Sequence, residues 1–341
     1  MGTHRRPRPA GRTRTAVLGA AAGAAVLLPT APAWAEPATG SLDQVKANVD
    51  GLYEDAEAAT EQYNKVDEQA RQLQQKAGKL QERLAGQQAK ILELQDSLGA
   101  LAADQYRSGG IDPSVQLMLS TSPDEYLRRA GLQDLAGGQQ AEALSNALRL
   151  QQSIDQERAE TSATLAELEQ ARNTMTAKKS EVQGKLAEAS RVLAGLKAAD
   201  RARVLGDNDQ AASRSSARGQ TYTGPATGQV KAILDFAYAQ LGKPYRWGAA
   251  GPDSFDCSGL TQMAFRAGGV GLPRVSQDQW NAGKRIAKAD IQPGDLLFYY
   301  NDLHHVGIYI GNGKLLHAPR TGKNVEIVGI DVMPYMGAVR P

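Results

Sequence analysis

Cys257 is the only cysteine in a chain of 341 residues, and three of its four histidines lie downstream of it, among them His305 and His317 as candidate partners. A lone cysteine forms no internal disulfide, which leaves a nucleophile, a metal ligand or an inert small hydrophobe. A free thiol has an ordinary pKa of about 8.5, so only a few per cent is thiolate at pH 7 and a nucleophile needs an activating neighbour. Asp256 reads as the N-cap of a helix whose inner face carries Cys257, Leu260, Met263, Ala264 and Ala267 before Gly268-Gly269 stops it. That places Cys257 in a first helical turn, where the helix dipole and unpaired amides favour a thiolate.

The histidines fall in a run of short strands: Leu296 to Tyr300, His305 to Ile310, Lys314 to Ala318, Asn324 to Val328 and a last one near Gly337 to Arg340. Gly311-Asn312-Gly313 makes the second and third a hairpin. A three-residue loop pairs Ile310 with Lys314 and Gly307 with His317, which sets His305 and His317 on one face as diagonal neighbours. A two-residue turn would put them on opposite faces, and the three-residue loop is expected. Val306, Ile308 and Ile310 then form a buried apolar face, and the histidine face is expected to meet the cysteine helix across Gly307. His305 is expected to take the thiol proton, and His317 to bond the far imidazole nitrogen and fix its tautomer. A zinc site from Cys257, His305 and His317 lacks the short Cys-x-x-Cys or His-x-x-x-His pair that would anchor it, so no metal or other cofactor is expected.

What must position these groups is one compact domain over 229–341, opened by a helix from Val230 to Leu241. Before it the pattern differs. From Val45 to Leu101 small and apolar residues recur in steps of four and three, with Gln, Glu, Lys and Arg in the outer positions. A second stripe runs through Leu165, Leu168, Met175, Val182, Leu186, Ala189, Leu193 and Leu196. Two such seams predict an antiparallel coiled-coil hairpin over 36–205, each arm about 100 Å long at 1.5 Å per residue. Gly109-Gly110, Pro113 and Pro123 point to short tip helices at about 109–136. Residues 206–228 have the Ser, Gly, Asn and Asp composition of a flexible linker.

Five arginines, an apolar stretch from Ala16 to Leu28 and Ala33-Trp34-Ala35 give the first 35 residues the form of a cleaved signal peptide. Pro7-Arg8 after Arg5-Arg6 favours the general secretory route over the twin-arginine one. Those five arginines are part of 39 Lys+Arg against 37 Asp+Glu, and no acid accompanies them, so the remainder is at −3. That balance excludes a basic nucleic-acid binder. The part from Gln229 onward holds 12 basic and 9 acidic residues, a mild positive charge suited to an anionic wall polymer.

Six motifs occur in an order that resembles the NlpC/P60 cysteine peptidases. They are Pro244-Tyr245-Arg246-Trp247-Gly248, Phe255-Asp256-Cys257-Ser258-Gly259-Leu260, Leu272-Pro273-Arg274, Gln292-Pro293-Gly294-Asp295-Leu296, His305 to Gly311, and His317-Ala318-Pro319. The resemblance implies a papain-like α+β domain over 229–341, with a small antiparallel sheet packed on helices. It also implies Cys257 as nucleophile, His305 as base and His317 as orienting residue. Tyr245, Asp256 and Ser258 match positions that hold substrate, Asp256 being suited to the free amine of a stem peptide. The one departure is His304, a second imidazole expected to point the other way.

The implied activity is a wall-associated, extracytoplasmic endopeptidase cutting peptidoglycan stem peptides, commonly between D-glutamate and the diamino acid. An amidase between muramic acid and the first alanine, or a non-catalytic wall-binding scaffold, is the alternative. The rod is expected to be a regulatory or docking arm that meets a membrane or divisome partner at its tip, or masks the groove by folding back on it. A passive spacer or a dimerisation coil is the rival reading.

Overall fold

The structure, a computed structural model, describes residues 41–107, 115, 118–119, 122–206 and 221–341. The expected signal peptide lies outside the described residues, as does most of the expected linker. Among the described residues no helix is long and apolar enough to cross a membrane.

The four-three seams produce two long helices, α1 (Leu42–Arg107) and α2 (Pro123–Ala194), packed along their length. Val49, Leu52, Ala56, Ala59, Ala70, Ala77 and Leu80 of α1 are buried against Ile154, Leu168, Ala171, Val182, Ala189 and Leu193 of α2. Small residues dominate the α1 side, which lets the two backbones approach. Three details differ from expectation. Pro123 does not break a tip helix: it sits at the start of α2, where its missing N–H and fixed φ suit a first helical turn. Leu165 is 42% exposed, because Thr161, Thr164 and Leu168 hold the four-three step and leave it one position off the seam. The second arm stops at Gly195, and α3 (Ala198–Leu205) turns back so that Val204 joins Val49 and Leu52. Arg201 caps the freed carbonyl of Leu193 at 2.9 Å.

The C-terminal domain begins before its expected boundary, since Tyr222 is already buried in its core. Helices α4 (Gly228–Ala239), α5 (Cys257–Ala267) and the single turn α6 (Ser276–Gln279) pack on an antiparallel sheet. Its strands are β1 (Lys284–Ile286), β2 (Leu296–Tyr299), β3 (His305–Gly311), β4 (Lys314–His317), β5 (Glu326–Gly329) and β6 (Tyr335–Arg340), in the order β1-β6-β2-β3-β4-β5. The three-residue β1, which pairs with β6, carries too little apolar content to be read from sequence.

The β3–β4 hairpin decides the site. Gly311 pairs with Lys314 across a two-residue turn in which Asn312 (φ 53°) and Gly313 (φ 66°) are both left-handed. Such a turn alone would split the histidines between faces. A bulge after Tyr309 resets the register to Tyr309↔Leu315 and Ile308↔Leu316, so Gly307 stands opposite His317 after all. The expected loop was wrong in form, and the expected juxtaposition is realised by a different device. The cysteine helix also lies on the other side from that expected. Its Leu260 and Ala264 pack with Val306 and Ile308, while Tyr309 belongs with Leu297, Tyr299 and Leu315 on the reverse face. An apolar helix stripe covers the apolar strand face, and Cys257 meets the histidines around the start of β3.

Candidate active site

Asp256 caps α5 as expected: its Oδ1 accepts from the Gly259 amide at 2.7 Å. Cys257 is thereby fixed in the first turn, with its Sγ 3.6 Å from the His304 carbonyl oxygen at the entry to β3. The sulfur, a ring nitrogen of His305 and a carboxylate oxygen of Glu57 all lie within 4.8 Å of one another. His305 Nε2 and His317 Nδ1 are 2.8 Å apart. A Cβ on Gly307 would meet Leu315 Cδ1 at 2.7 Å and His317 Cβ at 3.0 Å, so only glycine lets His317 stand this close to β3. His304 is held elsewhere, stacked on Tyr300 with its Nδ1 2.6 Å from Asp302 Oδ1.

The three residues expected to hold substrate gather round the thiol. Tyr245 is buried beside it. Asp256 receives two bonds from the Arg274 guanidinium, at 3.0 and 2.6 Å, and Arg274 also donates to Ser258 Oγ at 2.9 Å. Arg274 was visible in its sequence motif, but nothing local assigned it this fork.

The residues that sequence reasoning missed come from the arm. Glu57, Glu61 and Asn64 follow at i, i+4 and i+7 and form one stripe on α1, pointing away from its seam into the catalytic groove. Glu57 Oε1 lies 2.5 Å from His305 Nδ1. Glu61 Oε1 accepts from Ser258 Oγ at 2.7 Å and lies 3.7 Å from Cys257 Sγ; its Oε2 accepts from the Ser276 amide at 2.7 Å. Asn64 Nδ2 donates to Asp256 Oδ2 at 3.1 Å. Around this stripe Tyr63 meets Trp247 edge-on at 5.2 Å, and the Arg320 guanidinium sits 4.0 Å over the Tyr53 ring. A polar four-three stripe on a coil reads as a solvated face. The signal that could have distinguished it is aromatic: Tyr53 and Tyr63 bracket the stripe in a helix whose only other aromatic is Tyr106.

Burial of this acidic stripe governs the protonation of the site. Burial, then the neighbouring Asp256 charge, raises Glu61 to about 7. The Ser276 hydroxyl donates to the Leu303 carbonyl at 2.6 Å, so its 3.1 Å contact with Glu61 Oε2 is best satisfied when Glu61 carries the proton. Burial, then Glu61, Glu57 and Asp256, push the Cys257 thiol well above its ordinary range. The thiolate expected from the helix dipole is therefore overridden: a dipole acting over one turn loses to full burial among carboxylates. Burial and the adjacent His305 drive His317 well below the usual histidine range, which keeps it neutral.

A cysteine at a helix start, in reach of a paired imidazole on an antiparallel sheet, defines a papain-like thiol peptidase domain. The comparison with known proteins narrows that class: residues 242–336 match the NlpC/P60 family, so this chain carries a domain of that family. A protein of Corynebacterium glutamicum named a probable endopeptidase is 43% identical over 116 residues, covering 34% of this chain and 55% of the relative. The gamma-D-glutamyl-L-lysine dipeptidyl-peptidase of Bacillus subtilis is 43% identical over 113 residues, covering 32% of this chain and 38% of that protein. Among solved structures, the peptidoglycan hydrolase RipB of Mycobacterium tuberculosis is 35% identical, covering 33% of this chain and 64% of that one at a TM-score of 0.31. The P60 domain of a Mycobacterium avium subspecies paratuberculosis antigen is 32% identical, covering 33% of this chain and 93% of that one at a TM-score of 0.31. The chain spans about half the length of the Corynebacterium relative, and the arm is outside the 242–336 match.

Proposed function

We propose that this protein is a secreted cysteine endopeptidase of peptidoglycan stem peptides, held by its own arm in a masked state. The observation that carries the chemistry is the approach of Cys257 to an imidazole whose other nitrogen is 2.8 Å from His317. In the open enzyme His305 takes the Cys257 proton, and the thiolate attacks an amide carbonyl. The imidazolium protonates the leaving amine, and water then releases the acyl-enzyme. His317, neutral and buried, holds the His305 tautomer and ring plane. Asp256, Ser258 and Tyr245 hold the stem peptide. The Asn64 amide on Asp256 supports this, since an N–H donor already occupies the position proposed for the substrate's free amine. The name of the Bacillus relative supports the bond after D-glutamate as the one cut.

The masked state follows from contacts no substrate could share. Glu57, Glu61 and Asn64 engage the imidazole, both serines and Asp256, and the acidic surroundings keep the thiol protonated. Release of the arm frees the groove and lowers the thiol pKa in one event. The tip of the hairpin is the proposed handle for a membrane or divisome partner: Met118 is 89% and Leu119 74% exposed there. The first 35 residues are proposed as the export signal.

The deciding experiment is digestion of purified peptidoglycan followed by mass spectrometry. Stem peptides cut after D-glutamate are expected; freed lactyl termini would assign an amidase, and an unchanged wall with both the full chain and an arm-released variant would assign a scaffold.

A further inference from the structure

The masked site brings together a donor set that neither the arm nor the catalytic domain holds alone. Cys257 Sγ, a His305 ring nitrogen and a Glu57 carboxylate oxygen are all buried and lie within 4.8 Å of one another. Thiolate, imidazole and carboxylate are the ligand types that zinc and its neighbours in the transition series take. Ligand atoms in a tetrahedral zinc site stand roughly 3.3–3.5 Å apart, given bonds of about 2.0–2.3 Å. The present spread, from 2.5 Å between Glu57 and His305 to at most 4.8 Å, brackets that spacing.

Two independent features point to a cation. The site buries Glu57, Glu61 and Asp256 around the thiol, and among the described residues the basic side chains hydrogen-bonded to these three are Arg274, on Asp256, and His305 itself, on Glu57. A cavity of about 470 Å³ also opens between arm and domain beside the site, and its lining includes one of the three donors, Glu57, together with His317. Behind the ligands, His317 already receives the second nitrogen of His305, the outer contact that orients a metal-bound imidazole.

We infer that the masked state binds a single zinc-like divalent ion through Cys257, His305 and Glu57, which locks the arm onto the catalytic domain. Binding displaces the thiol proton to solvent, and a water from the cavity completes four ligands. The ion is an inhibitor of the reading proposed above: it ties up nucleophile and base together. Because Glu57 belongs to the arm, only the docked form offers all three ligands. At a free concentration one hundred times its dissociation constant the ion would multiply the docked-to-open ratio about a hundredfold.

The test uses the full chain. Zinc affinity is measured by competition with a chromophoric chelator, and cobalt(II) reports sulfur ligation through its thiolate charge-transfer absorption. One equivalent is expected, with that absorption present in wild type and absent in Cys257→Ser. Glu57→Gln, which keeps the shape of the side chain but offers a poor ligand, is expected to weaken zinc at least tenfold. Glu61→Ala, which removes an arm contact and no ligand, is expected to weaken it by the factor with which it opens the arm. No stoichiometric binding in wild type would overturn the inference, as would an affinity that Glu57→Gln leaves unchanged. The inference rests on the docked arm, not on hydrolysis. A chain that digests wall but binds no ion refutes the lock alone, and one that binds ion but leaves the wall undigested even as the metal-free Glu61→Ala variant refutes the peptidase alone.

Discussion

Replacing Glu61 by alanine should release the arm, and the structure sets the size of the effect. The side chain accepts from Ser258 Oγ and the Ser276 amide, each at 2.7 Å, and touches Ser276 Oγ at 3.1 Å. A net contribution of about 1 kcal/mol for each such bond gives a docking loss of about 2–3 kcal/mol. At 1.4 kcal/mol per tenfold, the docked-to-open ratio falls roughly 30- to 150-fold. Peptidoglycan is a polymer and cannot share a groove with a helix, so its digestion by the full chain reports the open fraction. While docking still dominates, the initial rate of digestion by Glu61→Ala should exceed wild type by that factor. Glu93→Ala, on an exposed part of α1 away from the groove, is the control and should leave the rate unchanged. A rate for Glu61→Ala within threefold of wild type, with the fold intact by circular dichroism, would refute the masking argument.

Docking should also depend on pH through Glu61. Its docked pKa is about 7 and its ordinary value 4.5, so docking is strongest below 4.5 and is lost as pH rises through 7, by about 3 kcal/mol in all. Hydrogen exchange of the Ser276 amide, followed against pH after correction for intrinsic exchange, should show the opening, and Glu61→Gln should flatten it. Cys257→Ala should abolish digestion in the Glu61→Ala background; retained lysis there would end the thiol mechanism. His317→Ala should lower kcat at least tenfold with little change in KM, and His317→Asn should restore part of it by keeping a partner for His305 Nε2. Gly307→Ala forces a Cβ to 2.7 Å from Leu315 Cδ1 and 3.0 Å from His317 Cβ, and overpacking of this kind costs about 1–3 kcal/mol. Thermal denaturation should show it as a fall in Tm of roughly 4–8 °C per kcal/mol, together with a loss of digestion; an unchanged Tm would refute the close approach of β3 and β4.

What the sequence reveals and what it hides divide along one physical line, the range over which a pattern is local. The N-cap at Asp256, the helix over Cys257 and the long seams are set by residues within a turn or two of each other, and each is legible as periodicity or capping. The His305–His317 pair is legible only through register, and register here depends on a bulge after Tyr309 whose Gly311 (φ 95°) reads equally well as part of the Gly311-Asn312-Gly313 turn. The neutral thiol is not legible at all. Its causes are burial and then Glu61 and Glu57, which stand about 200 positions away in sequence, on a helix whose polar outer face obeys the same four-three rule whether it meets water or an enzyme. A carboxylate on such a face tolerates solvent and tolerates a groove that supplies hydroxyl, amide and imidazole partners, and composition cannot separate the two. The separating fact is the match between the spacing of the stripe and that of the groove. Residues four and then three apart on α1 advance about 10 Å along its axis. That advance carries the stripe from His305, past Ser258 and Ser276, to Asp256, and one straight helix can therefore engage the proposed base, nucleophile and amine site without bending.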